Sequence, residues 1–220
     1  MPWRELANDY SIVNALREKA PDGYGLGASN GRPIPPTVEG GLNTATQNGW
    51  YYFGGAGGIQ NIPSLIPSSD YGYLLVSSRN EQEKLQVFMS EVNNYIAVRK
   101  LEAGVWQPWE YVNPPMDLGV EYRTTERYLG KPVYVKVVDC GSCPADGYKN
   151  VMYGEAYTVM PIRCEGTWSY SGRSTIPFES TDEDQLHIGA LGNVIRVKTG
   201  GKDFSSYTCT ATVYYAKATD

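Results

Sequence analysis

The chain has 220 residues, 41% hydrophobic and 20% charged, which fits one or two globular domains and argues against wholesale disorder. Its formal net charge is −5 and it has no stripe of Lys and Arg, so no nucleic-acid partner is expected. No apolar run approaches the roughly 20 residues that a membrane-spanning helix needs, so no membrane insertion is expected. The 24 Gly, 14 Pro and 18 Tyr indicate short strands, many turns and spare aromatic surface.

Residues 4–20 form the one segment with a helical pattern. Its apolar residues recur at spacings of three and four and share a face: Leu6, Tyr10, Val13, Leu16 and Ala20. The sequence Pro-Asp-Gly at 21–23 ends the pattern. We expect a helical stem at 1–20, either as a single docked amphipathic helix or as about two heptads of a trimeric coiled coil.

Residues 21–40 are dense in Gly and Pro and predict an ordered linker. The sequence GYGLG at 23–27 is not a phosphate-binding loop, because no strand precedes it, no helix follows it, and the G-K-[ST] ending is missing.

Residues 41–113 contain short apolar runs separated by turn residues, which predicts a small β-rich domain. Trp106 and Trp109 are expected in its core, with sugar stacking as the alternative. Arg99 is expected to pack against this aromatic pair rather than touch a ligand. The prolines at 114–115 stop the preceding strand and mark the domain boundary.

Residues 116–220 begin with a predicted hairpin from Val120 to Cys140. Polar and apolar residues alternate on both sides of a turn at 129–132, as in two antiparallel strands. Further strands are predicted at 155–163, 167–171, 185–191, 193–198 and 206–217. The last has one apolar face, made of Tyr207, Cys209, Ala211, Val213 and Tyr215. The pattern predicts a C-terminal antiparallel β-sandwich of roughly seven or eight strands.

The four cysteines offer a weak metal site. Cys140 and Cys143 form a C-x-x-C pair and are weak zinc candidates, with Cys164 and Cys209 as possible further ligands. The usual second C-x-x-C is missing, and Cys209 lies on an apolar strand face. We therefore expect free cysteines, with Cys164 and Cys209 as small buried hydrophobes, and no metal or cofactor.

The sequence offers little for catalysis. His187 is the single histidine and lies inside a predicted strand, and no G-x-S-x-G motif occurs, so a structural or surface role is expected. Glu179 and the run Asp182–Asp184 are the candidate carboxylates of a glycosidase, but such a run is more typical of a solvated acidic turn. We expect a protein that is not an enzyme.

Aromatic residues remain as candidate ligand-binding groups. Tyr148, Tyr153, Trp168 and Tyr170 are placed in or beside loops of the second domain. Their rings offer flat faces to sugar C–H groups, and each carries a polar atom for hydrogen bonding. They are predicted to bind a glycan; the alternative is that they only support the loops.

Several parts of the chain resemble known tail-fibre proteins. The run GVEYRTTERYLGKPVYVKVVD at 119–139 and VYYAKATD at 213–220 resemble the C-terminal receptor-binding region of tail-fibre proteins of bacteriophages and prophages of Gram-positive bacteria. APDGYGLG at 20–27 matches a segment of the same proteins. The first domain resembles the knob of R-type pyocin tail fibres in the order of its landmarks: Leu42-Asn43, Asn48–Tyr51, Asn61–Pro63, Leu85-Gln86, Arg99 and the Trp106/Trp109 pair.

The resemblance implies a distal tail-fibre adhesin that binds a bacterial cell-surface polysaccharide or teichoic acid without cleaving it. It implies a homotrimer that contacts other tail proteins at the fibre tip of a virion. The opening residues lack the apolar region of a signal peptide, so release by lysis is expected. The alternatives are a tailspike-like depolymerase that uses carboxylates at 179–184, and a structural fibre or phage-derived bacteriocin component.

Overall fold

The computed structural model describes residues 41–54, 58–64, 66–67, 69–155, 158–170, 172–176 and 185–220. These residues are mostly strand, which confirms the predicted mainly β fold. The predicted helical stem at 1–20 and linker at 21–40 lie outside them. Within the described ranges, no helix is both long and apolar enough to cross a membrane. The chain divides into two compact units between Val112 and Asn113.

The described residues of the first unit form a 3-10 turn at Gly41–Asn43 and six strands. Their bounds are β1 Gly49–Gly54, β2 Tyr71–Ser78, β3 Lys84–Ser90, β4 Ile96–Glu102, β5 Val105–Trp106 and β6 Glu110–Tyr111. They form an antiparallel sheet in the order β1-β2-β3-β4-β6, and the short β5 pairs with β4. The rings of Phe53 and Phe88 stack with centroids 5.1 Å apart in its core.

A buried side-chain amide connects the residues just before β1 to the sheet of this unit. Gln86 on β3 is fully buried, and its Nε2 donates to the carbonyl oxygens of Leu42 at 2.7 Å and Ala45 at 2.9 Å. Its Oε1 accepts a 2.8 Å hydrogen bond from Nε of Arg99 on β4. Every polar atom of the Gln86 amide therefore has a partner, as burial requires.

The second unit has eight strands among its described residues. Their bounds are β7 Glu121–Tyr128, β8 Lys131–Ser142, β9 Tyr148–Met152, β10 Val159–Ser169, β11 Arg173–Ile176, β12 Leu186–Leu191, β13 Val194–Thr199 and β14 Thr208–Lys217. One antiparallel sheet has the order β7-β8-β14-β10-β11 and the other the order β12-β13-β9.

The two sheets of this unit share one hydrophobic core, which makes it a β-sandwich. The larger sheet contributes the predicted apolar face of β14, where Cys209, Ala211, Val213 and Tyr215 are at most 1% exposed. The smaller sheet contributes a second group to the same cluster: Leu186, Ile195 and Val197.

The predicted hairpin is present, with a shorter turn than the sequence indicated. Leu129 and Gly130 alone form the connection, both at positive φ (50° and 82°), and Lys131 already belongs to β8. Two residues in this conformation match the twist of the flanking strands. The prediction joined the strands at 129–132, with Pro132 opening the second strand; in the structure Lys131 opens β8 and Pro132 is its second residue.

Two strand predictions were wrong in their bounds. The predicted strands at 155–163 and 167–171 are parts of one strand, β10, which continues through Cys164, Glu165 and Gly166. β9 was taken for part of a loop, because five residues between Gly147 and Gly154 give only a short alternating pattern. This strand brings Tyr148 into a sheet.

Candidate binding surface

The three-stranded sheet of the second unit has one face toward the core and one face away from it. The residues that point away alternate with core residues along each strand. We call these nine positions the outer face: Tyr148, Asn150 and Met152 on β9, Val194, Arg196 and Lys198 on β13, and His187, Gly189 and Leu191 on β12.

The strand register arranges the outer face in three rows. Tyr148, Lys198 and His187 form the first row, and Met152, Val194 and Leu191 form the third. Asn150, Arg196 and Gly189 form the row between them. The side chains of the outer face therefore change along the strands, from polar and basic in the first row to apolar in the third.

Arg196 is held in place by two neighbours on β9. Its Nε donates a 3.0 Å hydrogen bond to Oδ1 of Asn150, and its Cζ lies 4.3 Å from the ring centroid of Tyr148. Within the part of the chain that the structure describes, the guanidinium makes no other hydrogen bond and no ion pair. The Nη1 and Nη2 groups are therefore donors in a fixed orientation without a partner there.

The outer face is basic although the chain as a whole is acidic. None of its nine positions carries a carboxylate, while Arg196 and Lys198 are cations, on a chain of formal net charge −5. Lys198 is exposed and has no ion pair among the described residues. His187 is also exposed, as predicted for a surface histidine, and its Nε2 lies 2.8 Å from Oε1 of Gln185.

The four predicted aromatic ligand residues occupy three different settings. Tyr148 lies on the outer face with 58% of its surface exposed. Trp168 and Tyr170, at the end of β10, both pack on Tyr207, each with ring centroids 4.9 Å apart. Tyr170 is 65% exposed, so this aromatic cluster has a solvent-facing ring.

Tyr153 supports the surface from below. It is 4% exposed and packs on Tyr215 with centroids 5.2 Å apart, so neither of its ring faces is open to a ligand. Its hydroxyl donates a 2.6 Å hydrogen bond to the carbonyl of Gly192, in the turn between β12 and β13. Burial raises the pKa of Tyr153 to about 12, so the phenol is neutral at physiological pH.

The tryptophan pair of the first unit encloses an arginine. Cζ of Arg99 lies 4.3 Å from the ring centroid of Trp106 and 4.4 Å from that of Trp109. Arg99 is 6% exposed, and burial lowers its pKa to about 10, so it is charged at neutral pH. The expectation that Arg99 packs against the aromatic pair is confirmed.

The cysteines are free thiols that lie in or against the core of the second unit. Cys140, Cys143 and Cys209 are buried, while Cys164 is half-buried against the same core. Hydrogen bonding with Cys209 lowers the pKa of Cys140 and raises the pKa of Cys143, and burial raises the pKa of Cys164 to about 11. Among the described residues, no group of three His, Cys, Asp or Glu is placed to hold a metal ion.

Sequence reasoning missed the basic part of the outer face. The alternation in NVIRVK at 193–198 already puts Arg196 and Lys198 on one side of a strand, opposite Ile195 and Val197. Asn150 had no such signal, because β9 was not recognised. The acidic run at 179–184, proposed for catalysis in the depolymerase alternative, lies outside the described residues.

No protein-family model matches the chain, and no curated protein matches it. Solved structures with local similarity include the C-terminal part of the Pseudomonas aeruginosa R1 pyocin fibre, at 13% identity and a TM-score of 0.29, covering 79% of this chain and 65% of that one. An N-truncated R2-type pyocin tail fibre shares 11% identity at a TM-score of 0.29, covering 82% of this chain and 95% of that one.

A third similar structure is the collagen-binding domain of the Erysipelothrix rhusiopathiae surface protein RspB. It shares 13% identity at a TM-score of 0.29, with 67% of this chain and 50% of that one covered. The solved structures to which the chain is similar thus include pyocin tail fibres and a collagen-binding domain.

Proposed function

We propose that this chain is the distal part of a tail fibre, from a phage, a prophage or a related particle, and that it attaches the particle to a bacterial cell-surface glycan without cleaving it. The observation that carries the proposal is the outer face, where exposed aromatic and basic side chains are fixed on a sheet. The tail-fibre resemblance of residues 119–139 supports the same function.

The outer face suits recognition of a polymer better than enclosure of a small molecule. Its three strands lie roughly 4.8 Å apart, so the rows present a flat grid on which a chain of sugars can lie. A contact of this kind is weak in a single copy. Assembly of the chain as a homotrimer, with several fibres on one particle, multiplies the weak contacts into stable attachment.

The first test is adhesion. The full chain, labelled with a fluorophore, is incubated with a panel of Gram-positive bacteria and with the glycan purified from any strain that it labels. Saturable labelling and retention of the intact glycan support the proposal. Labelling of no strain contradicts it, and release of oligosaccharides from the glycan assigns the chain to the depolymerases instead.

The second test is the mass in solution. Light scattering is expected to give three times the 24.3 kDa of one chain. A stable monomer at the concentration used for the adhesion test contradicts the trimeric fibre.

A further inference from the structure

We propose that the outer face binds a phosphodiester-linked polymer of the bacterial surface, with Arg196 and Lys198 contacting its phosphate oxygens. This inference rests on the proposed adhesin function and adds to it the site, the charge of the ligand and the residues that read it.

Arg196 is oriented before any ligand arrives. Its Nε is occupied by Asn150 Oδ1 and one side of its guanidinium is covered by Tyr148, which leaves the edge with Nη1 and Nη2 for an oxyanion. A guanidinium in such a setting forms two parallel charge-assisted hydrogen bonds to one anionic group. Because the side chain is already ordered, binding loses little of its rotamer entropy.

Gly189 leaves open space on the strand next to Arg196. It is the cross-strand neighbour of Arg196, and a Cβ added to it would meet no heavy atom within 4 Å. The middle row of the outer face therefore has no side chain on β12 that could keep a ligand away from Arg196.

Lys198 supplies a second, different cation. It lies two residues from Arg196 on β13, roughly 6.8 Å along the strand, and its flexible stem spans that distance. The planar fork of Arg196 can hold both non-bridging oxygens of a phosphodiester, and Lys198 adds a point charge beside them. Two cations on a face without carboxylates fit an anionic polymer, and polygalacturonate tests carboxylate against phosphate.

The third row fits the uncharged part of such a polymer. Met152 is 69% exposed and Leu191 is 58% exposed, and Val194 lies between them. These side chains offer apolar surface to the C–H groups of a polyol or sugar that links successive phosphates. The outer face therefore presents cations for the anionic groups and apolar contacts for the linker.

The experiment measures binding of the full chain to poly(glycerol phosphate), to polygalacturonate and to neutral dextran by calorimetry at low salt. Removal of the two cations in Arg196→Gln/Lys198→Gln is expected to weaken binding to poly(glycerol phosphate) about tenfold or more, since hydrogen bonds to charged groups are lost. The matched control Arg79→Gln/Lys100→Gln removes the same charge from exposed ion-paired positions in the first unit and should bind as the wild type does.

A third variant tests the site without changing charge. Gly189→Val puts a side chain into this open space, and because its Cβ meets no heavy atom within 4 Å and valine favours strands, folding is expected to be unaffected. Weaker binding to poly(glycerol phosphate), with an unchanged thermal midpoint, supports the site. Equal loss in the control variant, or no loss in either outer-face variant, overturns it.

The probes separate the remaining possibilities. Binding to polygalacturonate but not to poly(glycerol phosphate) overturns the choice of phosphate. If Arg196→Gln/Lys198→Gln dissociates the oligomer, the outer face is an interface between copies of this chain and the inference falls. If that variant labels cells as well as the wild type does, the inference fails while the adhesin function stands; labelling of no strain by the wild type removes the adhesin function itself.

Discussion

Arg99 in the first unit and Arg196 in the second are held by the same two kinds of contact. Each donates from Nε to a side-chain amide oxygen, of Gln86 or Asn150, and each lies over an aromatic ring. The two arginines differ in how deeply they are buried. Arg99 is 6% exposed between two indole rings, whereas Arg196 is half-buried and lies over a single phenol ring.

Burial, rather than the local contacts, therefore distinguishes an arginine that stabilises the fold from one that can bind a ligand. A buried guanidinium serves the fold, because its removal leaves the polar groups around it without partners in a place that water does not reach. A half-exposed guanidinium with the same contacts contributes little to the fold, and its outward donors are available to a ligand. Four experiments measure this contrast through stability, and a fifth concerns a turn of the same sandwich.

The largest expected effect is that of Arg99→Ala. It leaves Oε1 of Gln86 buried without its donor and opens a gap between Trp106 and Trp109, so the free energy of unfolding should fall by about 2–4 kcal/mol. Denaturant unfolding followed by tryptophan fluorescence measures the change. A loss below about 1 kcal/mol would show that the buried arginine is not a support.

Unfolding at alkaline pH tests the burial of three tyrosine side chains that are neutral at pH 7. Burial raises the pKa of Tyr111, Tyr134 and Tyr153 to about 12, against 10.0 in the unfolded chain. The folded state then holds more protons than the unfolded state between these values, so their contribution is fully present below pH 10 and is lost as pH rises toward about 12. Denaturation midpoints measured from pH 8 to 12 should therefore fall above pH 10; a flat profile contradicts the burial of these phenols.

Double-mutant cycles compare the two arginine–amide pairs directly. The coupling free energy of Arg99 with Gln86 is expected at about 1.5–3 kcal/mol, because a charged donor meets a buried acceptor. The coupling of Arg196 with Asn150 is expected below about 0.5 kcal/mol, because water replaces either partner. Equal couplings would mean that depth does not distinguish the pairs.

A smaller effect is expected at the hairpin turn. Leu129 adopts φ 50° and is 82% exposed, so its side chain adds strain and no packing. Leu129→Asn, which gives the Asn-Gly sequence that such turns prefer, should raise the free energy of unfolding by about 0.5–1 kcal/mol. The thermal midpoint of the purified variant measures it, and a decrease would show that the leucine makes a contact worth more than the strain.

The smallest effect is expected for Arg196→Ala. Removal of this half-exposed side chain should change the free energy of unfolding by less than about 0.5 kcal/mol, although it removes the proposed anion contact. The same denaturant experiment as for Arg99→Ala provides the comparison. If the two variants lose similar stability, Arg196 also stabilises the fold, which contradicts the contrast with Arg99.

Much of the fold follows from local patterns in the sequence. The alternation in β8 and β14 predicted both strands and the buried face of the sandwich. Apolar and polar residues alternate in a strand when one of its faces is buried and the other is exposed to water. The bounds of β10 did not follow, since Gly166 looks like a break in the sequence but is buried inside a strand whose pairing continues past it. Pairing between distant strands overrides a local turn signal.

The candidate site was harder to predict than the fold. Tyr148 was singled out as a surface aromatic, and the structure shows it exposed. Its cationic neighbours on the outer face, Arg196 and Lys198, come from 48 and 50 residues further along the chain. No local pattern reveals which strands become neighbours. Tyr153 was selected for its ring alone, and nothing in its sequence context indicates that the ring is buried.

The turn between β12 and β13 has a consequence for how such a protein can diversify. Only Gly192 and Asn193 separate the paired residues Leu191 and Val194, and Tyr153 bonds to both turn residues through its hydroxyl and its backbone N–H. A shift of β13 by one position would exchange its two sides, turning Arg196 inward and Val197 outward. An insertion at this turn would thus remove the basic side chains from the outer face in a single step. Substitutions at the nine outer-face positions change that face one residue at a time. Sequence variation is therefore expected in the strands rather than in the turn.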